Sequence, residues 1–255
     1  MSELKKVVYG PVPSWRLGRS LGIDLLSRAK TCSFDCIYCQ LGPTRQKTVQ
    51  RSEFVATTRV LEELTPLPSL KIDYVTFSGT GEPTLASNLG EAIVEAGNQI
   101  GVPAAVLTNS SLITDPQVRG ELALADFVVA KLDAPDEGMF HIINRPADDV
   151  RFEAVLDGLR RFRQEYQGRL AIQVMFCPEN RECAGDIAAL LSGLKPDEVQ
   201  INTPLRPCPV TPLPAAELAE VARAFAGTNV VTVYESRRPA VRALDASETA
   251  RRRPE

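Results

Sequence analysis

The chain has 255 residues, 44% hydrophobic and 24% charged, the balance of an ordinary globular protein with one well-buried core. A formal charge of −3 supplies no global basic field, which argues against nucleic acid as a partner without excluding it. The single histidine, His141, excludes His-rich metal sites and any catalytic arrangement needing two histidines, and no apolar run reaches the length of a membrane span.

Residues 1–10 (MSELKKVVYG) contain no apolar signal core, so a cytoplasmic location away from membranes is expected. The segment 9–20 is punctuated by Gly10, Pro11, Pro13 and Gly18 and reads as an ordered loop. It presents Arg16 and Arg19 either to solvent or to an anionic substrate or the loop that follows. The first strand is expected over 20–26. Soon after it stands Cys32-Ser-Phe-Asp-Cys36-Ile-Tyr-Cys39, which holds three of the six cysteines. Val60, Leu61 and Leu64 then mark a short helix that Thr57 or Thr58 could cap. A β-rich run over 72–77 ends in Ser78-Gly-Thr-Gly-Glu-Pro83, and Leu85, Leu89, Ile93, Ala96 and Ile100 trace the next helix. Strands follow over 103–107 and 127–132. Phe152, Val155, Leu156, Leu159 and Phe162 form the clearest amphipathic helix. A strand over 170–176, a helix over 187–194, a strand over 199–202, a helix over 215–225 and a strand over 230–234 complete the pattern. Such alternation implies right-handed βαβ units and a parallel sheet, an α/β fold in a single domain over 1–237. The remainder, 238–255, lacks apolar periodicity and is expected to be a flexible tail.

Three thiols this close are not a disulfide framework in a chain without an export signal. Zinc favours pairs of cysteines with a second pair or histidines elsewhere, whereas thiolate-rich sites also select iron–sulfur clusters, which normally want four cysteines. With three, one iron of a four-iron cluster stays open to an outside ligand. A structural zinc knuckle using these thiols and one residue elsewhere is the alternative. In Gly79-Thr80-Gly81-Glu82 the glycines permit close backbone approach to a ligand, and the carboxylate can accept from an ammonium group. Taken alone, such a turn is equally a tight strand-to-helix connection. In parallel barrels the site lies at the carboxyl ends of the strands, where Thr108, Asn109, Lys131, Asp133, Gln200 and Asn202 fall. Lys131 and Asp133 could instead be an internal ion pair. Cys177, Cys183 and Cys208 could face the same mouth and hold a second cluster, or be packed thiols. His141 reads as packed or solvated. Asn144 and Arg145 could reach substrate, though no pattern requires it.

The cysteine spacing, with aromatic Tyr38 before the third cysteine, resembles the motif of the radical S-adenosylmethionine (SAM) superfamily. The resemblance implies a [4Fe–4S] cluster on Cys32, Cys36 and Cys39, its open iron chelated by the amino and carboxylate groups of SAM. It further implies reductive cleavage of SAM to a 5′-deoxyadenosyl radical, a partial (β/α)6 TIM-type barrel, and a reducing partner such as flavodoxin or ferredoxin. Gly79-Thr80-Gly81-Glu82 is similar to the family's Gly-Gly-Glu element, which binds the SAM amino group, here with Thr80 between the glycines. Some of Thr108, Asn109, Lys131, Asp133, Gln200 and Asn202 would then meet the ribose and carboxylate of SAM. Within the superfamily, 9–44 and Ser-Gly-Thr-Gly-Glu-Pro resemble the branch related to wyosine-base tRNA synthases. No cysteine precedes Cys32 here and the charge is −3, so a small-molecule, peptide or protein substrate is expected ahead of tRNA. A non-catalytic metal or electron-carrier protein is the third class.

Overall fold

The structure, a computed structural model, describes residues 6–26 and 29–254; residues 1–5, in the segment read for an export signal, and 27, 28 and 255 lie outside it. In chain order the elements begin with β1 (Val8–Ser14), β2 (Gly18–Ile23), β3 (Thr31–Cys32), β4 (Gln46–Lys47), α1 (Thr57–Leu64), β5 (Tyr74–Phe77) and α2 (Leu89–Ile100). They continue with β6 (Ala104–Thr108), α3 (Pro116–Leu122), β7 (Phe127–Lys131), α4 (Glu137–Ile143), α5 (Phe152–Glu165) and β8 (Arg169–Met175). The last are α6 (Ala184–Leu194), β9 (Glu198–Asn202), α7 (Ala215–Arg223), β10 (Val230–Thr232) and α8 (Ala246–Arg252).

Eight strands form one sheet in the order β1-β2-β5-β6-β7-β8-β9-β10. β1 and β2 are antiparallel, and every later pair is parallel. Spatial order thus follows chain order with a helix on each crossover, and the sheet curls into the half-barrel expected from the sequence. Alternate residues along each strand point to opposite faces. Val75, Phe77, Val106, Val128 and Ile172 belong to the large core shared with the helices. Ala105, Phe127, Val129 and Ala171 form a separate cluster closed by Leu17 from the β1–β2 turn. Two residues further along those strands come Lys131 and Gln173. The interior of the half-barrel is therefore apolar at one end and polar at the carboxyl ends, where a site can form.

Three segments differ from expectation. Part of the predicted 9–20 loop is β1, an edge strand. Its register shifts between Tyr9 and Val12, where Gly10 takes a φ of +95°. An edge strand tolerates proline because one row of its amides has no ladder to join, so Gly-Pro punctuation here marks a bulge and not a loop. The helices α3 and α4 have seven residues each, too short for a periodic apolar stripe, and begin at aspartate caps. Asp115 accepts from Gln117 N and Asp136 from Met139 N, both at 2.8 Å.

The third difference is the tail, which carries α8. Its anchor is a charge, which apolar periodicity does not register. The Arg252 side chain is 0% exposed and meets Asp24 at 2.9 Å and Glu248 at 2.7 Å. It also donates to Lys6 O at 2.5 Å and lies 4.9 Å from the Tyr9 ring centroid. Removing one partner of a buried ion pair strands the other without water or a counter-charge. Arg252→Met is expected to lower the unfolding free energy by about 3–5 kcal/mol. Urea denaturation measures it, and a loss below about 1 kcal/mol would mean that Asp24 finds other partners.

Candidate active site

The cysteine loop is held at both ends. Its first strand, β3, docks on the turn after β5: Thr31 N donates to Thr80 O and Glu82 N to Thr31 O, both at 3.1 Å. A Cβ on Gly81 would stand 1.6 Å from Thr31 O, so the two segments meet only because this residue is glycine. Beyond Cys32 the loop hangs on the end of α4, with Asp35 N donating to Asn144 O and Ile37 N to Ile143 O, both at 3.0 Å. Gly79 and Thr80 lie against Asp24, to which Thr80 Oγ1 donates at 2.9 Å. The Asp24–Arg252 pair therefore supports the same turn from behind.

Cys32, Cys36 and Cys39 are unbridged and partly exposed. Two of the sulfurs receive side-chain amides: Asn109 Nδ2 reaches Cys32 Sγ at 3.5 Å and Asn144 Nδ2 reaches Cys36 Sγ at 3.6 Å. Burial, then the nearby Asp133 carboxylate, pushes the Cys36 thiol up to about 11. Burial and Glu82 raise Cys32 as well. Ligation must displace those protons, and N–H donors aimed at sulfur favour the thiolate that results. Among the described residues no three His, Cys, Asp or Glu side chains gather tightly enough for a single ion. A cubane instead spreads its thiolates over separate irons, and three unbridged thiols on one loop suit that donor set.

Glu82 is 2% exposed and caps the 3-10 turn Pro83–Leu85. Its Oε1 accepts from Thr84 N at 3.1 Å, and from Thr84 Oγ1 and Thr108 Oγ1 at 2.7 Å; Oε2 accepts from Asn109 N at 2.6 Å. Burial raises this carboxyl while those donors oppose the rise. Glu82 and Thr108 thus position Asn109, whose amide also reaches Ser33 Oγ at 2.9 Å. One lone pair on Oε2 is left for a ligand.

Asp133 is the second hub. It accepts from the Tyr38 hydroxyl, from Asn144 Nδ2 at 2.8 Å and from Met175 N at 2.7 Å. Lys131 Nζ lies 3.2 Å from it and 4.8 Å from the Tyr38 ring centroid. Lys131 and Asp133 therefore form an ion pair within the site. Burial and Asp133 together keep the Tyr38 phenol far above its ordinary range. Asn144, which no sequence pattern required, joins Cys36, Tyr38 and Asp133.

A cavity of about 270 Å³ opens beside Cys39 and Tyr38 and runs to the β1–β2 turn, walled by Gln173, Met175 and Asn202. Gln173 was missed; the available signal was one polar residue at an inward position of an otherwise apolar strand. Gln200 does not reach this cavity, contrary to expectation. It is fully buried and turns its amide back to Glu198 Oε1 at 2.7 Å, because its place in the strand lies nearer the amino end than that of Asn202. Among the described residues Cys177, Cys183 and Cys208 form no tight metal-holding group. Cys177 and Cys208 pack with Tyr38 and Ile143, while Cys183 packs in the main core. Cys177 Sγ is instead occupied with Asn180 Oδ1 at 3.4 Å, and Cys208 Sγ with Val210 O at 3.3 Å. His141 is on the surface with Glu137 at 3.0 Å.

Residues 26–191 match the family model of the Radical SAM superfamily. A UPF0026 protein from Synechocystis sp. is 45% identical over 211 residues, covering 82% of this chain and 80% of that protein. Another from Methanocaldococcus jannaschii is 40% identical over 208 residues, covering 79% of this chain but 64% of its own length. This chain therefore spans less than two thirds of the second relative. A radical SAM methyltransferase from Sphaerobacter thermophilus superposes with a TM-score of 0.62 at 16% identity, over 84% of this chain and 65% of that one. Archaeal TYW1 gives 0.56 at 16% identity, over 83% and 72%. At these identities the structures share a fold. Among the described residues no helix is long and apolar enough to cross a membrane. Since the family match covers more than half of its length, the chain belongs to the radical SAM superfamily and, within it, groups with the UPF0026 proteins.

Proposed function

We propose that this protein is a radical SAM enzyme in which Cys32, Cys36 and Cys39 hold a [4Fe–4S] cluster and the substrate is a small molecule, peptide or protein. The observation that carries this reading is the cysteine loop itself: three thiols, two of them facing asparagine amides and the third beside a cavity at the carboxyl ends of parallel strands. When bound, cluster and SAM together supply reductive cleavage to a 5′-deoxyadenosyl radical that abstracts hydrogen from substrate. The chain's own residues bind and orient. Asn109 and Asn144 donate to sulfur, and hydrogen bonds to sulfur are one means by which a protein sets cluster potential. Glu82 offers Oε2 to the SAM ammonium, and Gly79, Thr80 and Gly81 bring the backbone alongside. Tyr38 and Asn202, both at the cavity, are the groups placed to meet the rest of SAM, while Lys131 and Asp133 hold Tyr38 in position. The electron comes from a reducing partner such as flavodoxin or ferredoxin.

Anaerobic reconstitution is expected to load about four irons per chain. Addition of SAM and dithionite should then yield 5′-deoxyadenosine. With cell extract as the source of substrate, deuterium transferred into that product would identify the hydrogen donor. Iron loading without any SAM cleavage would return the site to an electron-carrier role.

A further inference from the structure

The cavity beside Cys39 carries an unusual charge. Arg16, Arg206, Arg238 and Arg253 all line it, and among the described residues no aspartate or glutamate does. The chain as a whole is at −3, so this is a local concentration of positive charge. The four arginines come from four segments: the β1–β2 turn, the loop after β9, the stretch after β10 and the end of α8. None lies in the cysteine loop or in the turn after β5, which carry most of the residues assigned to SAM. Arg206 is tied to the cysteine loop through Gln40 Oε1 at 3.0 Å, and Gln40 in turn donates to Arg252 O at 3.0 Å. The arginine end and the cluster end are thus one continuous site.

Two further features point to a ligand. Gln173, 6% exposed and lining the cavity, has an Nε2 with no hydrogen-bond partner. A buried donor left unsatisfied is costly unless a bound molecule accepts from it. Trp15 lines the same space with the Arg16 guanidinium 4.8 Å from its ring centroid, adding a flat apolar surface beside the charge. Burial, followed by Arg253, Arg206 and Arg238, pulls Arg16 down to about 9. The carboxylate that opposes this, Glu198, is already engaged by Arg169 at 2.5 Å and by Gln200. An anion beside Arg16 would offset the repulsion that the other three exert on it.

We propose that the cavity is the substrate subsite and that the substrate is a small anion whose phosphate or carboxylate is held by Arg16, Arg206, Arg238 and Arg253, with Gln173 Nε2 donating beside it. This rests on the radical SAM reading for which molecule is the substrate, but not for the binding of the anion. Arginine forks match either oxyanion in pairs of parallel hydrogen bonds, and a cavity of about 270 Å³ suits a small molecule.

Titration calorimetry of the reconstituted full-length protein with inorganic pyrophosphate and, separately, malonate tests it, each with and without saturating SAM. Saturable binding of either ion alongside SAM is expected, and the tighter of the two identifies phosphate or carboxylate as the anchoring group. Arg16→Gln and Arg238→Gln should each weaken it roughly tenfold, as loss of a charge-assisted contact does. Arg238 is exposed, so its variant remains informative if Arg16→Gln fails to fold. Gln173→Met should weaken binding with no change in net charge. The proposal is overturned if neither ion binds, if the variants bind unchanged, or if SAM competes with the ion, which would make this the SAM carboxylate site. Displacement of pyrophosphate by unfractionated tRNA but not by malonate would overturn the small-molecule assignment. A SAM-cleavage assay on the same reconstituted protein separates the two readings. Anion binding without SAM cleavage sinks only the radical reading, and SAM cleavage without anion binding sinks only this one.

Discussion

Replacing Cys32, Cys36 and Cys39 together with alanine is expected to abolish iron incorporation and 5′-deoxyadenosine formation. Iron content should fall from about four per chain to none, because no other set of thiols is placed to take over. Cys177 and Cys208 pack into an apolar cluster with Tyr38, and Cys183 packs elsewhere. The fold should survive, since the three thiols are partly exposed and alanine in their place removes little buried surface. Circular dichroism and the urea midpoint check that point. SAM cleavage persisting in the folded triple variant would mean that the cluster sits on other ligands. Should the triple variant misfold, Cys39→Ala alone gives a readable answer, since this residue faces the cavity.

Gly81→Ala should be nearly as damaging, by a different route. The added methyl would lie 1.6 Å from the Thr31 carbonyl oxygen and 2.6 Å from Leu26 Cδ1. Backbone cannot rotate aside as a flexible side chain can, so β3 must part from the turn after β5. The Thr31–Thr80 and Glu82–Thr31 hydrogen bonds would go with it, and Cys32 is the next residue. A destabilisation of about 3 kcal/mol or more is expected, at the upper end for overpacking, with incomplete iron loading in whatever remains folded. Gly97→Ala is the internal comparison. It lies within α2 with nothing near its Cβ direction, so alanine there should stabilise by about 0.5–1 kcal/mol. Equal unfolding midpoints for the two variants would remove the argument for close approach at Gly81.

Strand and helix alternation, the parallel sheet and the cysteine loop were all legible in the chain, because each depends on spacing, while the half-barrel was what the family resemblance implied. A period of two or near four in apolar residues states which face is buried, and three thiols in eight positions are local whatever surrounds them. The Gly-Thr-Gly-Glu turn was visible for the same reason. What it does with its neighbours was not. Glu82 spends most of its hydrogen-bonding capacity on Thr84, Thr108 and Asn109, and only the fold brings the last two within reach. Asn144 gave no signal and Gln173 only that of a lone polar residue in an apolar strand, since single amides acquire meaning from the atoms opposite them. Arg252 was read as part of a loose tail because its anchor, Asp24, lies 228 positions away. The four cavity arginines are scattered from 16 to 253, and a chain at −3 conceals them in its total. Sequence alone determined the scaffold and the cysteine loop, whose physics is short-range along the chain. Tertiary structure decided the charge of the cavity and the partners of its buried polar groups, because convergence of distant residues is a property of the folded chain.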